Sequence, residues 1–261
     1  MSRKDKVVII FLSLVVGFMY VSGLPLSLVV PANSFMGTSD FIIPVGLNIL
    51  LSIVMVFLVV KLCRVSLDFK IKITDLSAGI KDTILVLVIY LCVCLIGIIY
   101  NCYPFTENPT VMRIILESIV YYLLVAIIEE LLLRGLIFNL FAEFFKNRKN
   151  GVLLAIIVSS VLFAIGHVPS VISEGPLVCI FRFLYPFGFG VYAGYLYKKT
   201  DNLVIPIIYH FLFDSILDIP MAFTNMEWFS YKPLFMVVFT LISIAISIYS
   251  FVKVRAEIRN I

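Results

Sequence analysis

The chain has 261 residues, of which 62% are hydrophobic and only 14% charged. A water-soluble domain carries roughly half apolar residues and about a quarter charged ones, so the composition excludes an ordinary soluble globular protein. The formal net charge is +4, but the basic residues gather at the ends of apolar runs, which argues for membrane topology and against nucleic-acid binding.

A helix that crosses a bilayer needs about 20 apolar residues. Eight such segments are predicted, roughly 7–30, 41–62, 84–100, 112–139, 152–168, 177–197, 203–219 and 233–252. The first follows Arg3, Lys4 and Lys6, and its apolar run is too long for a signal peptide. Although Val21-Ser22-Gly23 has the look of a cleavage site, the segment reads as an uncleaved anchor. Between the second and third segments, Arg64 to Thr83 holds an alternating Leu67–Ile73 stretch and then the helix-start signal Thr74-Asp75, which predicts an interfacial segment. The third and fifth segments are short, and Pro25 and Pro206 are expected to bend their helices.

With the N-terminus in the cytoplasm, sixteen of the twenty Lys and Arg fall on the cytoplasmic side. Arg113 and Lys232 fall outside, and Arg134 and Arg182 lie within segments. This is the positive-inside pattern. The expected fold is all-α: a polytopic integral membrane protein with about eight transmembrane helices and both termini cytoplasmic. It forms a single transmembrane domain over 1–261. Cysteines 63, 92, 94, 102 and 179 make no C-x-x-C pair and read as free, buried thiols.

The fourth segment carries the first unusual chemistry. Its sixteen Leu, Ile, Val and Phe residues between Ile114 and Asn139 each favour insertion by up to ~0.5 kcal/mol. Glu129, Glu130 and Arg134 oppose it by about 3 kcal/mol apiece. The sums nearly cancel, so these polar groups must face protein. Glu130 and Arg134 stand four residues apart on one helix face and read as a structural ion pair. Glu129 points about 100° away. Val125, Ala126, Leu132 and Leu133 occupy its i±3 and i±4 positions, so it must find a partner on another helix or hold a proton. That makes it the candidate general base.

The chain has only two histidines, both in apolar segments. His167 ends the motif Phe163-x-x-x-His167 near the close of the fifth segment. Phe163, one turn away, packs beside it, with substrate contact as its functional alternative. His210 and Asp214 form an i, i+4 pair in the seventh segment, where a carboxylate can orient an imidazole. A buried histidine in a soluble protein is commonly just a hydrogen-bonded core residue; at membrane depth, an ionisable group marks a functional site by default. Asp218 continues the stripe of Asp214 towards the outer surface, and Glu117 and Arg182 read as snorkelling residues near that interface. Glu129, His167 and His210, with Asp214 joining, would also supply a ligand set of the catalytic-zinc type, making Zn2+ the alternative cofactor. The H-E-x-x-H spacing of zinc proteases is absent, as are G-x-S-x-G and G-x-G-x-x-G.

Taken in order, Glu129-Glu130-x-x-x-Arg134, Phe163-x-x-x-His167 and His210-x-x-x-Asp214 resemble the CPBP family of intramembrane proteases, also called the Abi or CAAX-protease and bacteriocin-processing family. Gly190-x-x-x-Gly194-Tyr195 and Thr200-Asp201-Asn202-Leu203-x-x-Pro206-Ile207 add to the resemblance, which covers about 112–218, the expected catalytic core. It implies hydrolysis of a peptide bond in or beside the membrane. By the same resemblance Glu129 and His167 activate water, and His210 and residue 214 stabilise the oxyanion; a glutamate mechanism without a metal is the favoured expectation, with Zn2+ the alternative. The family's third motif often ends in Asn. An ionised Asp214 cannot donate to an oxyanion, so here it either holds His210 or stays protonated.

The expected partners are a membrane-associated peptide or protein substrate and the lipid bilayer, with no nucleic acid. The short Ile- and Phe-rich chain looks more like a bacterial plasma-membrane relative acting on a peptide or leader than an enzyme for prenylated tails. Glu129 lies about ten residues and His210 about seven from the cytoplasmic ends of their segments, which suggests a site entered from the cytoplasmic leaflet. Two other classes fit the same residues. A non-catalytic immunity or partner-binding protein would not need Glu129. A proton-coupled transporter would relay protons through it, although no repeated halves with interrupted helices are visible.

Overall fold

The computed structural model describes residues 42–69, 73–100, 111–168, 172–173, 175–218 and 233–259, and no strand occurs among them. The elements are α1 (Ile42–Leu62), α2 (Ile73–Tyr100), α3 (Val111–Glu130), a π-helical segment (Leu131–Phe138), α4 (Asn139–Phe144), α5 (Gly151–His167), α6 (Pro176–Thr200), α7 (Val204–Asp218) and α8 (Pro233–Arg259). Glu130 and Asn139 both keep right-handed helical backbone angles, so α3, the π segment and α4 run on as one rod.

Seven of the eight expected segments coincide with these helices; the expected first segment, with Pro25, lies outside the described residues. The third differs in extent. α2 begins at Ile73, so the expected interfacial stretch divides into residues 65–69, without regular structure, and the opening turns of α2. The Ser77 hydroxyl donates to the Thr74 carbonyl at 2.9 Å within that start. Charged residues there are compatible with a helix that extends past the hydrocarbon core into the headgroup zone. Pro206 does not bend α7. It occupies the first turn, where the amide has no intrahelical acceptor. The proline inside a helix is Pro186 of α6, which removes the amide that would bond the Arg182 carbonyl. Cys63, Cys92, Cys94 and Cys179 are free thiols; Cys94 is buried but Cys92 is exposed.

Pro176–Thr200 and Met236–Ala256 are long and apolar enough to cross a membrane, and shorter apolar stretches occur in α1, α2, α5 and α7. Polarity is inverted relative to a soluble protein. Leu47, Leu51, Leu58, Leu85, Ile96, Leu241, Ile248 and Val252 are exposed, while Glu130, Arg134, Ser159, Ser160, Asn202 and His210 are buried. An apolar exterior, with ionisable and polar groups kept inside an otherwise apolar core, is what a lipid solvent selects.

α6 is the centre of the bundle, packed between α5 and α8, while α7 packs against α3 and α2, and α1 against α3. Small residues allow this closeness. A Cβ on Gly190 would stand 3.1 Å from Ser160 of α5, and one on Gly194 would stand 3.1 Å from the Ile156 side chain. On the opposite face, a Cβ on Gly188 would fall 2.6 Å from the Ser243 carbonyl oxygen of α8. α6 ends at Asp201, whose φ of 47° is left-handed, a conformation that short polar side chains tolerate. The Asn202 side-chain oxygen then caps α7 by accepting from the Val204 amide at 2.9 Å. The Leu203 amide donates to the Asp68 carbonyl at 3.1 Å, tying the α1–α2 connection to the α6–α7 turn.

Gly188→Ala forces backbone apart at the α6–α8 contact and is expected to destabilise the protein by about 1–3 kcal/mol in detergent unfolding. Gly194→Ala meets only the movable Ile156 side chain and should cost less; equal losses would contradict this packing.

Candidate active site

The site forms where α3 changes to π geometry. All eight residues of Leu131–Phe138 are buried, Arg134 and Gly135 among them. Widening the helix displaces carbonyls from the α-helical ladder, and such groups must find other donors. Asn139 supplies one: its side-chain amide donates to the carbonyls of Arg134 and Gly135 at 2.9 Å each, and to the Tyr197 hydroxyl at 2.9 Å.

Arg134 donates from Nη1 to Glu130 Oε1 at 2.8 Å and from Nη2 to the Gly190 carbonyl at 2.8 Å. Neither Arg134 nor Glu130 exposes any side-chain surface. The guanidinium lies 5.5 Å from the centre of the Phe163 ring, a favourable cation–π placement. The same Glu130 Oε1 is 2.8 Å from His210 Nδ1. An ion-paired carboxylate can only accept, so Nδ1 carries the hydrogen and donates it. Glu130 Oε2 and Arg134 Nε have no hydrogen-bond partner among the described residues, so the buried charges are balanced largely through one shared oxygen.

With Nδ1 committed, His210 turns Nε2 towards Glu129 Oε2 at 3.6 Å and Asp214 Oδ2 at 3.4 Å. Both distances are long for direct hydrogen bonds, and a proton must lie between Nε2 and these carboxylates for the arrangement to be attractive. Exposure separates the two sides of the ring. Glu130 is fully buried behind it, while Glu129 and Asp214 keep 15% and 23% of their side-chain surface. His167 is joined to the group through Phe163. Its Nδ1 donates to the Phe163 carbonyl at 2.9 Å, leaving Nε2 as the basic nitrogen of the neutral ring. The Phe163 ring lies edge-on to His167 at 4.5 Å and to His210 at 5.8 Å, and Phe189 covers His210 at 4.5 Å. His167 also interacts electrostatically with Arg182, Asp214 and His210.

The structure thus brings Glu129, Glu130, Arg134, His210 and Asp214 together, with Phe163 linking His167 to them. Several details differ from the sequence expectations. Glu130 is more than a clamp for Arg134, because the same oxygen holds His210. Asp214 faces Nε2, so the nitrogen that fixes the ring is held by Glu130 instead. Arg182 does not simply snorkel: it donates to the Tyr185 hydroxyl at 2.7 Å and acts on His167. Glu117 is buried and paired with Arg113 at 2.8 Å. The side chain of Asp218 lies outside the described residues. Phe189, Asn139 and the Gly190 carbonyl went unnoticed in the sequence, where glycine spacing was the only trace of Gly190.

Among the described residues, no three His, Cys, Asp or Glu side chains are grouped so as to hold a metal ion. The expected Zn2+ ligand set, Glu129, His167, His210 and Asp214, therefore does not fit the ion as arranged.

Residues 111–216 match the family model for the Rce1-like type II CAAX prenyl endopeptidases, which agrees with the CPBP resemblance over nearly the same stretch. No curated protein matches the chain.

Replacing Arg134 by Met leaves Glu130 charged, buried and without its cation. A loss of about 3–5 kcal/mol is expected in unfolding experiments. The double change Arg134→Met with Glu130→Gln removes the orphaned charge and should recover part of that loss. Failure of the second change to recover anything would show that the pair is not coupled.

Proposed function

Starting from a 111–216 segment that resembles the type II CAAX prenyl endopeptidases, we propose that the chain is an intramembrane endopeptidase that cleaves a membrane-associated peptide or protein with activated water. The observation that carries this reading is the convergence of Glu129 and Asp214 on His210 Nε2, with Glu130 and Arg134 fixing the ring from behind. The proposed setting is one multi-pass domain of eight spans with cytoplasmic termini in a bacterial plasma membrane.

In the proposed reaction, the Glu129 carboxylate takes a proton from water as the oxygen attacks the scissile carbonyl carbon. The carbonyl π electrons move to its oxygen, and a proton held at His210 Nε2 is donated as a hydrogen bond to that oxyanion. His167, with Nε2 as its basic nitrogen, helps to hold the attacking water. The tetrahedral intermediate then collapses: the C–N bond breaks, and the proton on Glu129 passes to the leaving nitrogen. Asp214 acts on His210 rather than on the oxyanion, since an ionised carboxylate has no proton to give. Phe163 holds both imidazoles in register and presents its ring beside the reacting bond.

The test is cleavage of a panel of leader-type and farnesylated peptides by the reconstituted protein. Glu129→Gln should lose at least a hundredfold in rate while keeping the wild-type unfolding profile, and a chelator should leave the wild-type rate unchanged. Retained cleavage by Glu129→Gln would remove the proposed base, and chelator sensitivity would point to a metal. Asp214→Asn should keep measurable activity with a shifted pH optimum; complete loss would contradict a role confined to acting on the proton at His210 Nε2. If Glu129→Gln retains every cellular effect of the chain, the partner-binding alternative replaces the protease.

A further inference from the structure

The rod that carries the π segment ends in a turn with an aromatic side and a basic edge. α4 finishes with Phe141, Phe144 and Phe145, whose ring centres lie between 5.1 and 6.5 Å apart. Phe144 is 51% exposed. Lys146, Arg148 and Lys149 follow, all exposed. The turn is tightly folded: the Arg148 amide donates to the Phe145 carbonyl at 2.8 Å, and the Gly151 amide to the Arg148 carbonyl at 2.9 Å. A Cβ on Gly151 would collide with the Phe145 carbonyl oxygen, so only glycine lets α5 start this close to the end of α4. The Arg148 guanidinium lies 5.7 Å from the centre of the Phe145 ring, a cation–π placement.

The end of α6 reaches the same corner. Gly190 faces Ser160 and Gly194 faces Ile156, so α5 and α6 run antiparallel in a fixed register. Continued to the end of α6, that register sets Lys198 level with Val152 and Lys199 level with Gly151, beside the turn. Lys146, Arg148, Lys149, Lys198 and Lys199 therefore share one corner with two carboxylates. Glu143 accepts from Lys146 at 2.7 Å and Asp201 from Lys198 at 3.3 Å. Among the described residues, Arg148 and Lys149 meet no carboxylate. Helix-end charge accounts for only part of this set. Lys198 and Lys199 complement the carbonyl end of α6, but Arg148 and Lys149 stand just before the start of α5, a helix end that is itself positive. Selection on topology favours positive charge anywhere on this face, yet it does not call for exposed rings beside the charge. Rings that enter the acyl boundary, next to cations at phosphate level, are the pattern of a surface that meets anionic lipid.

We infer that the corner between the α4–α5 turn and the end of α6 binds the headgroup phosphate of an anionic glycerophospholipid. The inference needs no premise about peptide cleavage. A headgroup held there bridges the α4–α5 turn to α6, and α4 and α6 are already joined by the Asn139–Tyr197 bond at 2.9 Å. Asn139 is also the side chain that satisfies the carbonyls of Arg134 and Gly135. The lipid thus braces the rod just beyond the segment that carries Arg134.

Native mass spectrometry of the full chain in neutral detergent, titrated with phosphatidylglycerol or phosphatidylcholine, reads the binding directly. Three double variants are compared with the native chain: Arg148→Gln with Lys149→Gln, Lys198→Gln with Lys199→Gln, and, as control, Lys253→Gln with Arg255→Gln. The control removes two exposed cations from the end of α8, outside the corner. The expected result is a preference of about tenfold for phosphatidylglycerol in the native chain. Each corner variant should lose about tenfold in affinity for that lipid, and the control less than about twofold. Phosphatidylglycerol should also raise the unfolding midpoint of the native chain and the control, but not of the corner variants. Two separate corner variants cover the case in which one fails to fold. Equal binding of both lipids would overturn the inference. An equal loss in the control would overturn it too, because binding would then follow the general charge of the face. Displacement of the lipid by an equal concentration of soluble glycerol phosphate would also contradict it, since the corner would then be a site for free phosphate.

Discussion

One carboxylate oxygen organises the centre of this protein. Glu130 Oε1 accepts from Arg134 Nη1 and from His210 Nδ1, each at 2.8 Å, in a place that water does not reach. Burying a charge is costly unless it is both paired and hydrogen-bonded, and this oxygen meets both conditions for two partners at once. Through it the α3–π rod is joined to α7, and through the second arm of Arg134 to the backbone of α6 at Gly190. The position of His210 is therefore set by charge balance as much as by packing. Removing any member leaves another charged or polar group buried without its partner.

The surrounding helices make that arrangement possible. α6 approaches α5 closely because Gly190 and Gly194 have no side chain there, and the closeness places the Gly190 carbonyl within reach of Arg134. The π segment is a local departure from α-helical bonding, and its displaced carbonyls are satisfied by Asn139. Phe163 and Phe189 pack against His210, whose Nε2 side faces the partly exposed Glu129 and Asp214. A dry, charge-balanced rear and a partly exposed front suit a group that must hold its orientation while a proton moves at its other nitrogen.

Much of this was legible in the sequence because membranes make polar residues conspicuous. The helices were readable from apolar length, and Glu129, Glu130, Arg134, His167, His210 and Asp214 stood out as ionisable groups within them. What periodicity could not supply was the contact between helices. Glu130 and Arg134 fall on one face by spacing, but nothing in the spacing says that His210, eighty positions later, shares their oxygen. The third span is read as beginning at residue 84 because apolar length marks the hydrocarbon core, whereas α2 begins at Ile73, beside the Thr74-Asp75 start signal, and runs through the interface. The π segment leaves no periodic trace in a run that is apolar but for Arg134 and Gly135.

The central claim is that Glu130 fixes His210 by accepting its Nδ1 hydrogen, so that Nε2 is presented to Glu129 and Asp214. The chain has only two histidines, so heteronuclear NMR of protein labelled in its histidine ring nitrogens would give two resolvable rings, assignable with His167→Gln. The account predicts a protonated Nδ1 on His210 whose resonance shifts strongly in Glu130→Gln, while Glu129→Gln moves mainly the Nε2 signal. An unprotonated His210 Nδ1 in the native protein, or an Nδ1 indifferent to Glu130→Gln, would contradict it.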